Sequence, residues 1–404
     1  MLIAQFAYSI ALYVLSSRQV GKPLPKAVEG IYNAEEYGKW RSYNNKCDKL
    51  GIFSGVLTLA INIVLYCTDV ISYVYYLLPG GEAAKAILFF LIMGACEIII
   101  SLPIDIIRNF KIEAEFGFNK TTPKTFALDI VKNLILGTAI NFLIFMLVFS
   151  AYLLLDAYFG FIAFLGIAVV VFIFSSLSTT ISKLFNKFTP LEEGELRTNL
   201  KEMFEDAGYK LKDIYVMDAS KRTTKANAYC GGIGKFKQIV LFDNLVKNYS
   251  PEEITAVFAH ELAHFKNRDT MKMTLINMLN FLPLLALMSI MMLFPEIQAS
   301  YGFAEPSVLF AFYLSFGGVV SIINSLIAIP LNAYTRKMER RADTFAAEKG
   351  YGDALISGLR KLHKDSLSDM NPHPTVVKLT YSHPPLHERI ELAEAKKKSD
   401  NTEN

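Results

Sequence analysis

The stretch VFAHELAHFKNRD, Val257 to Asp269, contains His-Glu-x-x-His, and four residues later the chain reads MTLINMLNFLPLLALMSIMMLF, Met273 to Phe294. The first pattern marks a metal site that uses water as a reagent. The second is apolar over a length that crosses about 30 Å of hydrocarbon. A fold that satisfies both puts a hydrolytic metal site at the lip of a bilayer.

The rest of the chain agrees with a membrane protein. Hydrophobic residues make up 52%, with 30 Phe and 20 Tyr, and the mean hydropathy of +0.31 is above that of ordinary soluble chains. Apolar stretches near 2–17, 52–78, 86–107, 134–155, 159–182, 271–294 and 307–331 predict seven transmembrane helices. The first has no basic leader and no small-residue cleavage site after it, so it reads as a span and not a signal peptide. Asn62, Asp69, Glu97, Asp105 and Asn141 fall inside the predicted spans. Such groups belong either near an interface or against a hydrated cavity within the bundle.

Loop charge gives the orientation. Arg18, Lys22, Lys26, Lys39, Arg41, Lys46 and Lys49 crowd residues 18–50, and Arg108, Lys111, Lys120, Lys124 and Lys132 crowd 108–133. The long segment 183–270 is also basic, whereas 79–85 has one lysine and 156–158 and 295–306 have none. The positive-inside rule then predicts basic loops, long segment and C-terminus in the cytosol, with the N-terminus outside. A net charge of +3 gives no electrostatic footprint for nucleic acid. Cys47, Cys67, Cys96 and Cys230 are scattered without a CxxC. They read as small apolar residues, not as a disulfide framework or zinc knuckle.

The predicted organisation is five spans with their loops over 1–182, a protease subdomain over 183–270 and two more spans over 271–331. A charged, mostly helical segment follows over 332–395, then a disordered tail over 396–404. In the subdomain, LEEGELRTNLKEMFEDAG (191–208) reads as an amphipathic helix ending at Gly208, and KDIYVMD (212–218) as a strand. TTKANAYCGGIG (223–234) and KQIVLFDNLV (237–246) read as a hairpin around Gly231, Gly232 and Gly234. No Lys-Ser/Thr helix follows these glycines, so they are not a nucleotide loop. Ser250, Pro251 and Glu253 specify a helix start, as N-cap, first helical residue and capping-box partner.

On that helix His260 and His264 are four apart and face one side, where they can bind one zinc. Glu261 lies beside the remaining position, placed to take a proton from water. A catalytic zinc needs a third protein ligand, and the candidates are the other histidines and the downstream acids. In NAYTRKMERRAD (332–343), Asn332, Arg336, Glu339 and Asp343 lie 4, 3 and 4 apart, on one helical face. Glu339 fits as ligand and Asp343 as the carboxylate that orients a ligand histidine. The alternative is a salt-bridged surface helix with Arg340 and Arg341. Height favours the ligand reading. His264 precedes the sixth span by seven residues and Glu339 follows the seventh by eight, so each stands about 10–12 Å beyond the membrane. In SHPPLHERI (382–390), His383 and Arg389 either supply positive charge where an oxyanion develops or belong to a turn that caps the last helix. His363 reads as exposed, and His373 as part of a loop between prolines.

Together these blocks resemble the type I CAAX prenyl proteases, over nearly the whole chain. The likeness rests on EAEFGFNKTT (113–122), KANAYCGG (225–232), AHELAH (259–264), NAYTRKMERRAD (332–343) and SHPPLHERI (382–390). It implies an all-α integral membrane fold, with seven transmembrane helices around a chamber and a gluzincin-like zinc protease subdomain carrying a small β-hairpin. It implies one Zn2+ per chain on His260, His264 and Glu339, with Glu261 as general base and Asp343 behind a ligand. It also implies catalytic or substrate-facing roles for His383 and Arg389, and pairing of Asn227, Ala228 and Tyr229 with the substrate backbone. Asn332 joins these as a substrate-binding candidate. Implied partners are peptides or proteins, prenylated at a C-terminal Cys-a-a-X in the family, and membrane lipids. The short connection from the seventh span to Asp343 and the lack of an obvious endoplasmic-reticulum retrieval signal look more like a bacterial or archaeal member; the expected membrane is the plasma membrane for a prokaryotic chain and the endoplasmic reticulum for a eukaryotic one.

Two other functions compete. A quality-control metalloprotease with no prenyl requirement uses the same zinc motifs, but the related branch has fewer spans and the EAEFGFNK block argues against it. A transporter or channel with a structural zinc is permitted by polar-lined spans, but a glutamate beside an open zinc position needs no transport to explain it.

Overall fold

A computed structural model describes residues 2–155, 158–209, 214–231, 238–318 and 320–400. The N-terminal region comprises α1 (Leu2–Gln19), α2 (Ala34–Cys67), α3 (Val70–Leu77), α4 (Glu82–Ile106), α5 (Pro123–Leu155) and α6 (Phe159–Ser176). A π-helical extension, Ile107–Glu113, continues α4. The middle region carries α7 (Ser178–Ser182), β1 (Phe188–Pro190), α8 (Glu195–Asp206), β2 (Ile214–Met217), β3 (Ala228–Gly231), β4 (Gln238–Phe242), α9 (Asp243–Asn248) and α10 (Pro251–Lys266). Then come α11 (Asp269–Leu279), α12 (Phe281–Leu293), α13 (Pro295–Ala299), α14 (Val308–Tyr313) and α15 (Val320–Ala346). The chain closes with α16 (Gly352–Asp365), α17 (Pro374–Thr380) and α18 (Leu386–Asp400).

Among the described residues, five helices are individually long and apolar enough to cross a membrane: Ala34–Cys67, Glu82–Glu113, Pro123–Leu155, Phe159–Ser176 and Asp269–Leu293. Val308–Gly317 and Ile322–Asp365, meeting at a 41° bend, make a sixth. The remaining predicted span, the first at 2–17, corresponds to α1, whose 18 residues include Gln5, Ser9, Ser16, Ser17, Arg18 and Gln19. These polar residues keep it below the apolarity of the others.

One predicted span changes shape. The second, expected at 52–78, begins far earlier at Ala34, behind an Asn33–Glu36 capping box, and ends at Cys67. Val70–Leu77 is a separate short helix with Asp69 at its start, so Asp69 lies in a turn and not within a span. The tail also differs: α18 continues through 396–400, and only 401–404 lie outside the described residues.

Contacts between helices run round a ring: α1 on α2, α2 on the extension of α4, α4 on α5, α5 on α6, α6 on α12, α12 on α14, and α15 on α17, which returns to α1. Gln5 Nε2 donates to Ser325 Oγ at 2.9 Å, tying α1 to α15. A ring of this kind encloses a chamber. The buried aromatic core sits at one end, built from α3, the start of α4, the end of α5, the start of α6, α12 and α14. The basic segments 18–50 and 108–133 meet in a second core, which α10, α16, α18 and the base of α2 share.

The sheet has four strands in the order β1-β2-β4-β3. The β3–β4 pair is the antiparallel hairpin read from sequence, and its turn, 232–237, lies outside the described residues. The added strands pair non-locally: β2 runs parallel to β4, and β1 antiparallel to β2. Leu200, Phe204, Ile239 and Leu241 pack this sheet and α8 against Ile254, Phe258 and Leu262 of α10.

Candidate metal centre

The start of α10 is fixed by the residues that specified it. Ser250 Oγ accepts from Glu253 N at 3.2 Å, Glu253 Oε2 accepts from Ser250 N at 3.0 Å, and Pro251 takes the first turn. The helix then buries Phe258, Ala259, Leu262 and Ala263, which aims His260 and His264 toward α15.

There the two Nε2 atoms lie 3.1 Å apart. Glu339 Oε2 is 3.3 Å from one and Oε1 3.3 Å from the other. One donor atom from each of His260, His264 and Glu339 falls within 4.8 Å of the rest. The tautomers follow from the far side of each ring. His260 Nδ1–H donates to Asp343 Oδ1 at 2.9 Å, and His264 Nδ1–H to Asp269 Oδ2 at 3.0 Å. Both Nε2 atoms therefore present lone pairs to each other and to a buried carboxylate.

Three electron-rich groups converge with no donor between them. Glu339 Oε2 is buried without a hydrogen-bond partner, an arrangement that costs free energy unless a cation completes it. Burial opposes ionisation of Glu339, but His260 and His264 overcome it and hold the carboxyl well below the usual range. The site favours positive charge at the convergence point. Two imidazole nitrogens and one carboxylate are also the donor set of a zinc site that keeps a position open.

Glu261 sits next to His260, and burial pushes its carboxyl above the ordinary range, against the pull of His260 and His264. His383 reaches the open side of the group, with Nε2 3.5 Å from Glu339 Oε1 and a side chain 60% exposed. Arg389 does not do what a substrate-facing reading requires. It is buried, donating from Nε to Asp343 Oδ2 at 2.8 Å and from Nη2 to Asp343 Oδ1 at 2.7 Å, with Nη2 3.5 Å from His260 Nδ1. Its charge is committed behind His260, because α18 packs on the buried side of α15. Asn332 lies two turns before Glu339, and its Nδ2 donates to the Leu379 carbonyl at 3.5 Å. The neighbouring Arg336 is buried and binds the Val377 and Lys378 carbonyls at the end of α17, which fixes the loop carrying His383. His363, read as exposed, is half-buried and bonded to the Leu359 carbonyl, and burial lowers its imidazole to about 4. His373 caps α17, accepting from Thr375 N.

Asn227, Ala228 and Tyr229 lead into and occupy β3, an edge of the sheet. Asn227 O accepts from Phe242 N, so by antiparallel alternation the backbone of Ala228 faces away from β4. Ala226 and Ala228 pack on the core shared with α10. Sequence reasoning did not find the group that anchors this strand. Tyr43 donates to Glu113 Oε1 at 2.6 Å. Lys225 Nζ lies 3.3 Å from both Glu113 Oε2 and Tyr43 Oη. The turn at Gly117 (φ +80) lets Asn119 form a β-bridge with Thr223, so EAEFGFNK grips the approach to β3. Asp269 was also missed, for want of a local signal linking it to His264.

Residues 190–397 match the sequence model of peptidase family M48, and residues 15–187 that of the CAAX prenyl protease N-terminal region with five membrane helices. CAAX prenyl protease 1 homolog of Oryza sativa subsp. japonica is 31% identical, over 99% of this chain and 97% of the relative. CAAX prenyl protease 1 of Saccharomyces cerevisiae is 28% identical, over 96% and 92%. The crystal structure of S. mikatae Ste24p superposes with a TM-score of 0.88 at 29% identity, covering 97% of this chain and 96% of that one.

Proposed function

Because the chain belongs to peptidase family M48 and joins that domain to the five-helix region of the CAAX prenyl proteases, we propose that it is a membrane-embedded zinc endopeptidase acting on C-terminal peptide bonds of CAAX-type substrates. The observation that carries this reading is the convergence of two Nε2 lone pairs and the Glu339 carboxylate at one end of a bundle of membrane-spanning helices.

His260, His264 and Glu339 would hold one zinc ion per chain. Bound there, zinc supplies a Lewis acid that acidifies water and polarises a carbonyl. Glu261 takes the proton from the attacking water and hands it to the amine that leaves as the C–N bond breaks. Its burial suits that work, since a carboxyl with a raised pKa can both accept and return a proton. His383, at the mouth, donates to the oxygen on which charge develops. Asp343 fixes the tautomer of His260, and Arg389 keeps Asp343 in place. The substrate lies along β3 as an added strand, read by main-chain hydrogen bonds from the Ala228 side and flanked by Asn227, Tyr229 and Asn332. The basic loops put this end of the bundle in the cytosol and the N-terminus outside.

Glu261→Gln tests the assignment. The variant retains zinc by metal analysis and loses hydrolysis of a farnesylated CAAX peptide by about 10²–10⁴-fold. Full activity with zinc confirmed would refute the general-base role.

An edge strand read through its backbone confers little sequence or lipid selectivity, which favours a second reading: cleavage of unprenylated membrane-protein segments in quality control. Comparing kcat/KM for prenylated and unprenylated forms of one peptide separates the two. A ratio near one selects the second.

A further inference from the structure

The loop that joins α10 to α11 is only two residues long, and its second residue, Arg268, has φ 56 and ψ 35. This left-handed conformation is one that side chains other than glycine rarely adopt. Its effect is to turn the chain back at once, so that Asp269 faces His264, five residues earlier. Asp269 is 3% exposed although it carries a carboxylate. Its Oδ2 accepts from His264 Nδ1–H at 3.0 Å and from Arg341 Nη2 at 2.5 Å. Its Oδ1 is buried without a hydrogen-bond partner and has Lys272 Nζ 3.7 Å away. Arg341 comes from α15, two residues beyond Glu339.

Each histidine thus has its own carboxylate–arginine pair behind it. His260 is backed by Asp343 and Arg389, and His264 by Asp269 and Arg341. We propose that Asp269 is a positioning residue for the metal centre, holding His264 in the tautomer that turns its Nε2 lone pair toward His260 and Glu339. Arg341 completes the clasp by binding the same oxygen, which locks α15, with Glu339, to the α10–α11 corner. The strained turn at Arg268 persists because this clasp over-determines it. A carboxylate hydrogen-bonded to the far nitrogen of a ligand histidine fixes the ring and raises its basicity, and its removal costs about 10–100-fold in metal affinity.

The inference rests on His264 being a metal ligand, and the test keeps the two apart. Zinc affinity is measured on the full chain in detergent by competition with a chromophoric chelator, and cobalt(II) absorption spectra report the ligand geometry. Asp269→Asn and Asp269→Ala are expected to bind zinc about 10–100-fold more weakly, with an altered cobalt spectrum, while melting in saturating zinc stays near wild type. Arg341→Met is expected to weaken zinc binding by a smaller factor, about 3–10-fold by the same reasoning. If His264→Ala keeps wild-type affinity, the ligand assignment itself fails. If His264→Ala loses zinc while the Asp269 variants stay within twofold of wild type, the positioning role of Asp269 is overturned. Should those variants not fold, wild-type affinity and an unchanged cobalt spectrum in Arg341→Met overturn it.

Discussion

At the far end of the bundle, Phe145 meets Phe312 edge-on at 5.6 Å, Phe312 stacks on Phe316 at 4.5 Å, and Phe90 closes on both Phe145 and Phe312. At the metal end the same depth of burial is filled by His260, Glu339, Asp343 and Arg389. The aromatic end holds its shape through many contacts that are individually weak, so no single one of them sets the geometry. The polar end holds its shape through a few strong contacts, each useless without its partner. The contrast explains where rigidity is spent. A chamber wall needs only to stay closed, whereas ligand atoms must stay within a few tenths of an ångström.

Removing one member of the polar end should therefore have the largest effect. Arg389→Met leaves the Asp343 carboxylate buried without its guanidinium, and an uncompensated buried charge costs about 3–5 kcal/mol. The expected result is a strongly lowered melting temperature together with loss of bound metal. The double variant Asp343→Leu/Arg389→Met should recover much of the stability, since an apolar pair of similar volume can replace a buried ion pair, but not the metal affinity. Equal melting temperatures for Arg389→Met and wild type would erase the distinction between the two ends.

A smaller effect is expected in the bundle. A Cβ on Gly166 would come within 2.6 Å of both methyl carbons of Leu147, so Gly166→Ala forces the Leu147 side chain off its packing between α5 and α6. Overpacking of this kind costs about 1–3 kcal/mol. The melting temperature should fall while zinc affinity at the other end stays within twofold of wild type. Loss of metal in Gly166→Ala would mean that the ring transmits strain along its whole length, and that the two ends are one cooperative unit.

The polar end was also the more legible in sequence, because its main parts are local. The capping box at Ser250 and Glu253 acts over three residues, the His260–His264 spacing over four, and the face joining Asn332 to Asp343 over eleven. Glu339 required one non-local step, the common height of two consecutive spans. What sequence reasoning misjudged depended on packing that it could not see. The charged, aromatic stretch around Trp40 and Tyr43 reads as a loop by hydropathy. It is instead the base of α2, with both rings buried among Ile112, Phe116 and Phe118. Arg389 follows a proline turn whose direction is set by Arg336 on another helix. The contact of Asp269 with His264 hangs on a left-handed Arg268 that no glycine announces. The parallel pairing of β2 with β4 joins strands with no turn between them to read.

The smallest effect belongs to the run of arginines on α15, which sharpens the comparison within one helix. Arg336 is buried against the carbonyls that end α17, and Arg341 binds the buried Asp269. Arg340 points outward to Glu388 at 2.8 Å, with 46% and 38% of the two side chains exposed. Water screens this pair, and pairs of its kind contribute about 0–1 kcal/mol. Arg340→Gln should therefore melt close to wild type, bind zinc with wild-type affinity and retain kcat/KM, although its Cα lies next in sequence to Glu339. Arg336→Gln, at the same distance from Glu339 along the chain as a single helical turn, should lower kcat/KM without altering zinc affinity, because it loosens the His383 loop and leaves the ligands alone. If Arg340→Gln instead loses activity, exposure is a poor guide to importance on this helix, and the division between buried and solvated charge must be redrawn around Glu388 and α18.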